Sequence, residues 1–184
     1  MRMPVADINN FQAALQAFPQ APTLRHLHGA RMNEDPSHTA VRQELASLVA
    51  RFFQAVSFET GEAPPYGDIQ GLFIAAGLLI KNTASTPEIS TVAGFIAPRQ
   101  ALVDSGALTR FREWELSAHT QVFGNIAHRY SAYGKAGTQA GKDFEARGVI
   151  STQFIKTSEG WKMSAMAWDD ERPGLSLPAE LLSR

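Results

Sequence analysis

Two groups of side chains in this sequence have types and spacing that could carry chemistry. Arg129, Tyr133 and Asp169 supply a cation, a phenol and a carboxylate at strand positions whose neighbours are apolar. Gathered in a cavity, they suit an anionic or enolate-like ligand. Arg129 would hold the negative charge, Tyr133 would donate a hydrogen bond, and Asp169 would orient Arg129 or take a proton. Trp114 and Tyr66 would add an aromatic wall and a second phenol. In the plainer alternative, Arg129 and Asp169 pair with each other or with a nearby acid, or reach water at the rim of a sheet. The second group is His119 and His128 with Glu113 and Glu115 close by, the raw material of an acid–base pair or part of a metal site. No third ligand is spaced to join the histidines, so no metal is expected. The same alternating polar row equally makes the outer face of a sheet that a dimer would bury.

Other chemistries find little support. The chain has no cysteine, which excludes disulfides, thiol nucleophiles and cysteine-based metal centres. It contains no GxSxG, P-loop, GxGxxG or HExxH motif, and no cofactor is expected. Gly134, Gly137 and Gly141 lie between strand patterns with no helix start behind them, an arrangement unsuited to phosphate. The run Trp168-Asp169-Asp170-Glu171-Arg172 reads as a strand end with ion pairs, because consecutive carboxylates on a strand point to opposite faces. His26, His28 and His38 read as solvated side chains of a polar stretch.

Length and composition narrow the class. The 184 residues suggest one domain, two at most, and 44% hydrophobic with 19% charged residues is globular. Seventeen basic against 18 acidic residues give a net charge of -1, without the basic footprint of a nucleic-acid binder. The N-terminus lacks the basic and apolar regions of a signal peptide. The longest apolar run, residues 72–80, is broken by Gly77 and too short to span a bilayer. A cytoplasmic protein with no membrane partner is the expectation.

The elements that must position these residues follow from periodicity. Residues 1–38 read as an N-terminal extension, 39–171 as the folded domain and 172–184 as a C-terminal tail. Val41, Leu45, Leu48, Val49, Phe52 and Val56 recur every three or four residues and predict a helix over 39–59, capped by Ser37 or Thr39 and ended by Gly61. Asp68 is placed to cap a short helical turn, and residues 78–80 read as a short buried strand. Thr86-Pro87-Glu88 predicts the start of a second helix, kinked at Pro98 and closed by Gly106. Beyond Gly106 the period falls to two, in strands 108–123, 125–133, 144–157 and 161–169. Hairpins at Gly124-Asn125 and Ser158-Glu159-Gly160 join them, with a Gly-rich loop over 135–142 that reads as a further hairpin tip. Helices first and an antiparallel meander after is an α+β order, with helices against one face of a curved sheet.

Parity across the Gly124-Asn125 hairpin sorts the two faces. Trp114, Leu116, Ala118, Thr120 and Val122 share one with Ala127, Arg129, Ser131 and Tyr133. Glu113, Glu115, Ser117, His119 and Gln121 share the other with His128 and Tyr130. The first is more apolar and is expected to face the helices. Phe144, Ala146, Ile150, Thr152 and Phe154 should join it, and so should Trp161, Met163, Ala165, Ala167 and Asp169. A β-bulge would invert the assignment from its position onward.

Specific segments carry a likeness: Tyr66-Gly-Asp-Ile-Gln-Gly-Leu-Phe, Gly77-Leu-Leu-Ile, residues 88–98, Phe123-Gly-Asn-Ile-Ala127, Ala146-Arg-Gly and Gly160-Trp161-Lys-Met. In this order they resemble the nuclear transport factor 2-like superfamily, with its SnoaL-like, scytalone dehydratase-like and ketosteroid isomerase-like members, over residues 39–171. The resemblance implies a cone-shaped, cystatin-like α+β fold with helices on the concave face of a mostly antiparallel sheet. It also implies a pocket between helices and sheet, and a homodimer through the outer sheet face. Catalytic members of the superfamily need an acid–base pair in the pocket, and none of Tyr66, Asp68, Tyr133 and Asp169 matches a catalytic motif residue for residue. The expected function is a small-molecule pocket protein, and any catalysis a cofactor-free isomerisation or dehydration of an apolar or aromatic carbonyl compound. The alternative is a non-catalytic ligand-binding or dimeric module, its pocket plugged by Trp114, Phe95 and Phe154.

Overall fold

The computed structural model describes residues 36–182. Residues 1–35 of the expected extension, with His26 and His28, lie outside them; His38 is exposed in the first helix. Helix α1 (Pro36–Val56) opens on a proline, whose missing N–H costs nothing there. Leu45, Leu48, Val49, Phe52 and Val56 of the predicted stripe are buried, and Phe53 and Ala55 join them. A 3-10 helix (Tyr66–Leu72) follows without a side-chain cap. Asp68 does not cap it as expected; its backbone N–H donates instead to the Pro65 carbonyl at 3.0 Å.

Strand β1 (Phe73–Lys81) is longer than predicted and runs parallel to the last strand of the chain. Residues 88–91, predicted to open a helix, form the edge strand β2 (Glu88–Thr91), antiparallel to β1. The ladder from Leu78↔Thr91 to Lys81↔Glu88 draws this segment into the sheet, and a 3.2 Å Lys81–Glu88 ion pair closes it. Tertiary pairing thus overrides a good local helix-start signal. Helix α2 (Val92–Asp104) begins one turn later, where the Thr91 hydroxyl accepts from the Gly94 N–H at 3.2 Å, and it continues through Pro98.

The meander is β3 (Leu108–Phe123), β4 (Ile126–Gln139), β5 (Lys142–Thr157) and β6 (Gly160–Asp170). The Gly-rich stretch 135–142 is the expected hairpin tip but a tighter one: β4 and β5 pair as far as Gln139↔Lys142, leaving only Ala140-Gly141 as the turn. The ladder supplies the hydrogen bonds that a weak local strand propensity does not. The six strands lie in the order β2-β1-β6-β5-β4-β3, all antiparallel except β1 with β6. On one face α1, the 3-10 helix and α2 bury Leu45, Val49, Ile69, Leu72 and Phe95 against Ile150, Phe154, Met163 and Met166. The result is the expected α+β architecture of helices on a curved sheet. The opposite face carries the C-terminal segment, which ends in the short helix α3 (Ala179–Leu182). There Leu177 and Leu181 cover Ala132 and Val149, and the Ser117 hydroxyl donates to the Leu181 carbonyl.

Two bulges correct the expected faces. Between Glu115↔Tyr133 and Ser117↔Ala132 the strand β3 carries one extra residue, Leu116. Between it and a further extra residue at Thr109 the faces are inverted: Phe111, Glu113 and Glu115 face inward with Tyr133, and Trp114 faces outward. Trp114 lies over Gly134, where a Cβ would stand 2.6 Å from the ring, so the glycine makes room for it. In β6, Ser164 is extra between Phe154↔Met163 and Gln153↔Ala165. Past it, Met166, Trp168 and Asp170 point inward, while Ala165, Ala167 and Asp169 point outward. Each bulge shifts a period-two pattern by one residue, which exchanges the faces.

Candidate functional site

Between the helices and the sheet lies a cavity of 370 Å³. Its walls are mostly aromatic and aliphatic: Phe52 from α1, Phe95 from α2, Phe111 from β3, Phe144 from β5, and Met166 with Trp168 from β6. The Trp168 ring meets Phe95 edge-on, 5.9 Å between centres. Into this apolar space project Tyr66, Lys81, Glu88, Arg99, Glu113 and Lys135.

Sheet register places the central groups. Glu113 on β3 stands directly opposite Lys135 on β4. The next row across the sheet is Glu115, Tyr133, Gly148 and Asp170. A Cβ on Gly148 would lie 2.8 Å from Cε1 of Tyr133 and would also collide with the Asp169 carbonyl. The glycine therefore lets the phenol cross β5 and donate its hydroxyl to Asp170 Oδ1. Lys135 Nζ donates to both oxygens of the same carboxylate, at 2.9 and 2.8 Å. Asp170 is thus shared by a phenol and an ammonium, and its own charge is balanced.

Electrostatics single out Glu113. Burial pushes its carboxyl from 4.5 up to about 7, although Lys135 and Arg99 both pull it down; the Asp170 carboxylate adds to the rise. Burial also raises the Tyr133 phenol far above its ordinary range, helped by its hydrogen bond to Asp170, so it stays a donor. The Tyr66 phenol is raised by burial and partly offset by Arg99. Burial works against the Arg99 charge too, while Tyr66, Glu113 and Glu88 support it. Its guanidinium lies 3.5 Å above the Phe95 ring centre, and Nη1 donates to the Phe95 carbonyl at 2.8 Å.

No protein-family model matches the chain, and no curated protein matches it. Solved structures do. A nuclear transport factor 2-like superfamily protein from Salmonella enterica serovar Typhimurium superposes with a TM-score of 0.59 at 13% identity, covering 71% of this chain and 91% of that one. A nuclear transport factor 2-like protein with a cystatin-like fold from Novosphingobium aromaticivorans gives 0.58 at 15% identity over 98% and 100%. The hexachlorocyclohexane dehydrochlorinase LinA Type2 gives 0.60 at 9% identity over 76% and 90%. The chain has the nuclear transport factor 2-like fold.

Within that nuclear transport factor 2-like fold the expected site residues scatter. Tyr66 lines the cavity. Tyr133 faces inward but is fully buried beside it, committed to Asp170. Trp114 is outside the cavity and borders a second pocket, of 290 Å³, between α1 and β3, so it neither walls nor plugs the site. Asp169 is on the outer face, where a 2.5 Å hydrogen bond from Arg172 holds its carboxyl below the usual range. Arg129 does face inward, but the expected Arg129–Asp169 pair does not form. Arg129 makes a bidentate pair with Glu115, at 2.9 and 2.6 Å, and donates to the Thr120 hydroxyl at 2.6 Å. Ser131 donates to the same Glu115 at 2.7 Å. This cluster closes on itself and does not line the cavity.

His119 and His128 lie on the outer face, opposite Tyr130 and Gln121 respectively, and His128 Nε2 sits 3.0 Å from the Ser151 hydroxyl. Glu113 and Glu115 are on the other face, so the acid–base or metal grouping around the histidines is not assembled. Among the described residues no three His, Cys, Asp or Glu side chains are grouped to hold a metal ion. Sequence reasoning missed Glu113, Arg99 and Lys135 as cavity groups, and Asp170 as the partner of Lys135. The available signal was Phe111, an aromatic residue out of phase with Ala118 and Val122, which is how a bulge reads in sequence.

Proposed function

We propose that this protein binds an apolar or aromatic carbonyl compound in the 370 Å³ cavity and moves a proton on it with Glu113, without a cofactor. The observation that carries the reading is a carboxyl of pKa about 7 facing an apolar cavity, where a general base at neutral pH is most effective. Glu113 takes a proton from the carbon next to the carbonyl. The bond pair moves to the carbonyl oxygen as an enolate, and Glu113 returns the proton to the same or a conjugated carbon. The Tyr66 hydroxyl and the Lys135 ammonium are the cavity donors that meet the developing oxyanion. Isomerisation needs nothing further; in dehydration the enolate pair forms the C=C bond, the β-C–O bond breaks, and the hydroxyl leaves as water with the proton that Glu113 holds. LinA, named a dehydrochlorinase, shows the same fold hosting an elimination.

A second reading has its own support. Lys135 already donates to both oxygens of Asp170, which favours a binding protein that holds its ligand without turning it over. Proton exchange separates the two. In D2O, the wild-type protein should exchange the α-protons of 2-acetylnaphthalene or an aryl cyclohexenone, followed by NMR. Glu113→Gln should slow that exchange by about 10²-fold or more. Exchange at equal rates in both proteins would remove Glu113 as the base, and ligand binding without exchange would establish the binding module. The same reading includes a homodimer through the outer sheet face, where Phe123, Ile126 and Tyr130 remain exposed.

A further inference from the structure

The charges that line the cavity are not all balanced in the same way. Lys81 pairs with Glu88 at 3.2 Å at the edge of the site. Lys135 pairs with Asp170 at 2.8 Å. Arg99 is different: among the described residues, no carboxylate lies within 4.0 Å of its guanidinium. It is nevertheless held in place. It rests on the Phe95 ring at 3.5 Å, and Nη1 is fixed by the Phe95 carbonyl at 2.8 Å. That leaves Nη2 and Nε without a partner, in a half-buried position on the wall of an aromatic-lined space.

A guanidinium in that setting has one chemistry open to it. A buried cation is costly until it is paired, and its planar fork matches a planar two-oxygen anion. Stacking on Phe95 removes the side-chain freedom that pairing would otherwise cost, so the donors are preorganised. Aromatic wall and fixed fork together describe a receptor for a flat ring bearing an acid group.

We propose that Arg99 is the anion-binding residue of the cavity and that its ligand is an aromatic or similarly flat carboxylate. The proposal rests on the cavity being a ligand site, as argued above, but not on Glu113 acting as a base. The groups that share the field are Glu113 on β3, Lys135 and Tyr133 on β4, Asp170 on β6, Glu88 on β2 and Tyr66 in the 3-10 helix. A carboxylate seated on Arg99 adds negative charge near Glu113 and raises the tendency of Glu113 to hold a proton. Binding should therefore take up protons near neutral pH and weaken as the pH rises above 7.

The test uses 2-naphthoate and its neutral isostere 2-naphthamide, titrated calorimetrically into the full chain. The wild-type protein should bind the acid at least about 10-fold more tightly than the amide. Arg99→Gln should lose that preference while keeping affinity for the amide, and Arg99→Lys should retain part of it. The Lys variant also covers the case in which Gln perturbs the fold, with thermal melting of both as the control. Glu113→Gln should keep the preference for the acid and abolish the proton uptake, measured in buffers of different ionisation heat. Equal affinity for acid and amide, or a preference that survives Arg99→Gln, overturns the anion site and leaves the cavity reading intact. Binding of neither probe at millimolar concentration overturns both.

Discussion

At the scale of single residues, Glu113 makes stability depend on pH in a direction unusual for an acid. Its folded pKa of about 7 lies above the unfolded 4.5, so the folded state holds the proton longer than the unfolded state does. Stability is therefore greatest below about 4.5 from this group's standpoint, and it declines as the pH rises towards 7. A rise of that size corresponds to about 3 kcal/mol. Glu113→Gln, which cannot ionise, should make urea unfolding harder at pH 8 by about 1–3 kcal/mol and change little at pH 4.5. An equal effect at both values would show that the carboxyl is not held neutral. Arg129 behaves as a structural ion: its side chain is 12% exposed and that of Glu115 25%. Arg129→Met should cost about 2–4 kcal/mol by leaving Glu115 uncompensated, and adding Glu115→Leu should recover more than half of it. A single mutant that melts like the wild-type protein would contradict the ion-pair role.

At the scale of elements, the site depends on strand register. Leu116 and Ser164 each insert one residue, and the two bulges together bring Glu113 from β3 and Asp170 from β6 onto the helix side. Register is strongly specified here because one face of the sheet is buried under three helical segments. Gly148 is the other device, since Tyr133 reaches Asp170 only across a strand with no side chain at that point. Gly148→Ala should destabilise the protein by about 1–3 kcal/mol and break the Tyr133–Asp170 hydrogen bond. Tyr133→Phe alone should leave the fold in place, and its comparison with Gly148→Ala separates the lost bond from the steric clash. If Gly148→Ala melts no lower than the wild-type protein, the close crossing is not what the sequence preserves there.

At the scale of the whole described unit, the two faces of the sheet have separate roles. The inner face buries the core and the cavity; the outer face is part covered by Leu177 and Leu181 and part open. The open part includes Phe123, 82% exposed, and Ile126, 58% exposed, at the tip of the β3–β4 hairpin, with Tyr130 further along. Under the proposed homodimer, sedimentation at tens of micromolar should show a dimer, and Tyr130→Glu should dissociate it by placing a charge in the interface. A wild-type monomer at that concentration removes the dimer from the reading of the outer face. No helix among the described residues is long and apolar enough to cross a membrane.

Much of the architecture is legible from periodicity. The helix stripe from Leu45 to Val56, the change to period two after Gly106 and the hairpin at Gly124-Asn125 are local patterns, and local patterns survive folding. They suffice for helices on one face of a meander; in the sequence, the nuclear transport factor 2-like fold itself is implied only by the resemblance of segments such as Tyr66-Gly-Asp-Ile-Gln-Gly-Leu-Phe and Gly160-Trp161-Lys-Met. The histidines on the outer face are also readable, because no bulge lies between them and the Gly124-Asn125 hairpin that anchors the parity. Elsewhere the outcome depends on partners distant in sequence. Thr86-Pro87-Glu88 is a sound helix start on its own, yet pairing with β1 makes its last residue the start of a strand and moves the helix start to Thr91. Trp114 and Asp169 keep their expected strands and lose their expected face, because a bulge of one residue inverts every side chain beyond it at little cost to the pattern. The sequence by itself determined the first helix, the four-strand meander and their order, and the buried face of the stretches that no bulge interrupts. The tertiary structure alone decided which carboxylates enter the cavity, since that turns on register between strands, and register is settled by packing across the sheet and not by any short run of residues.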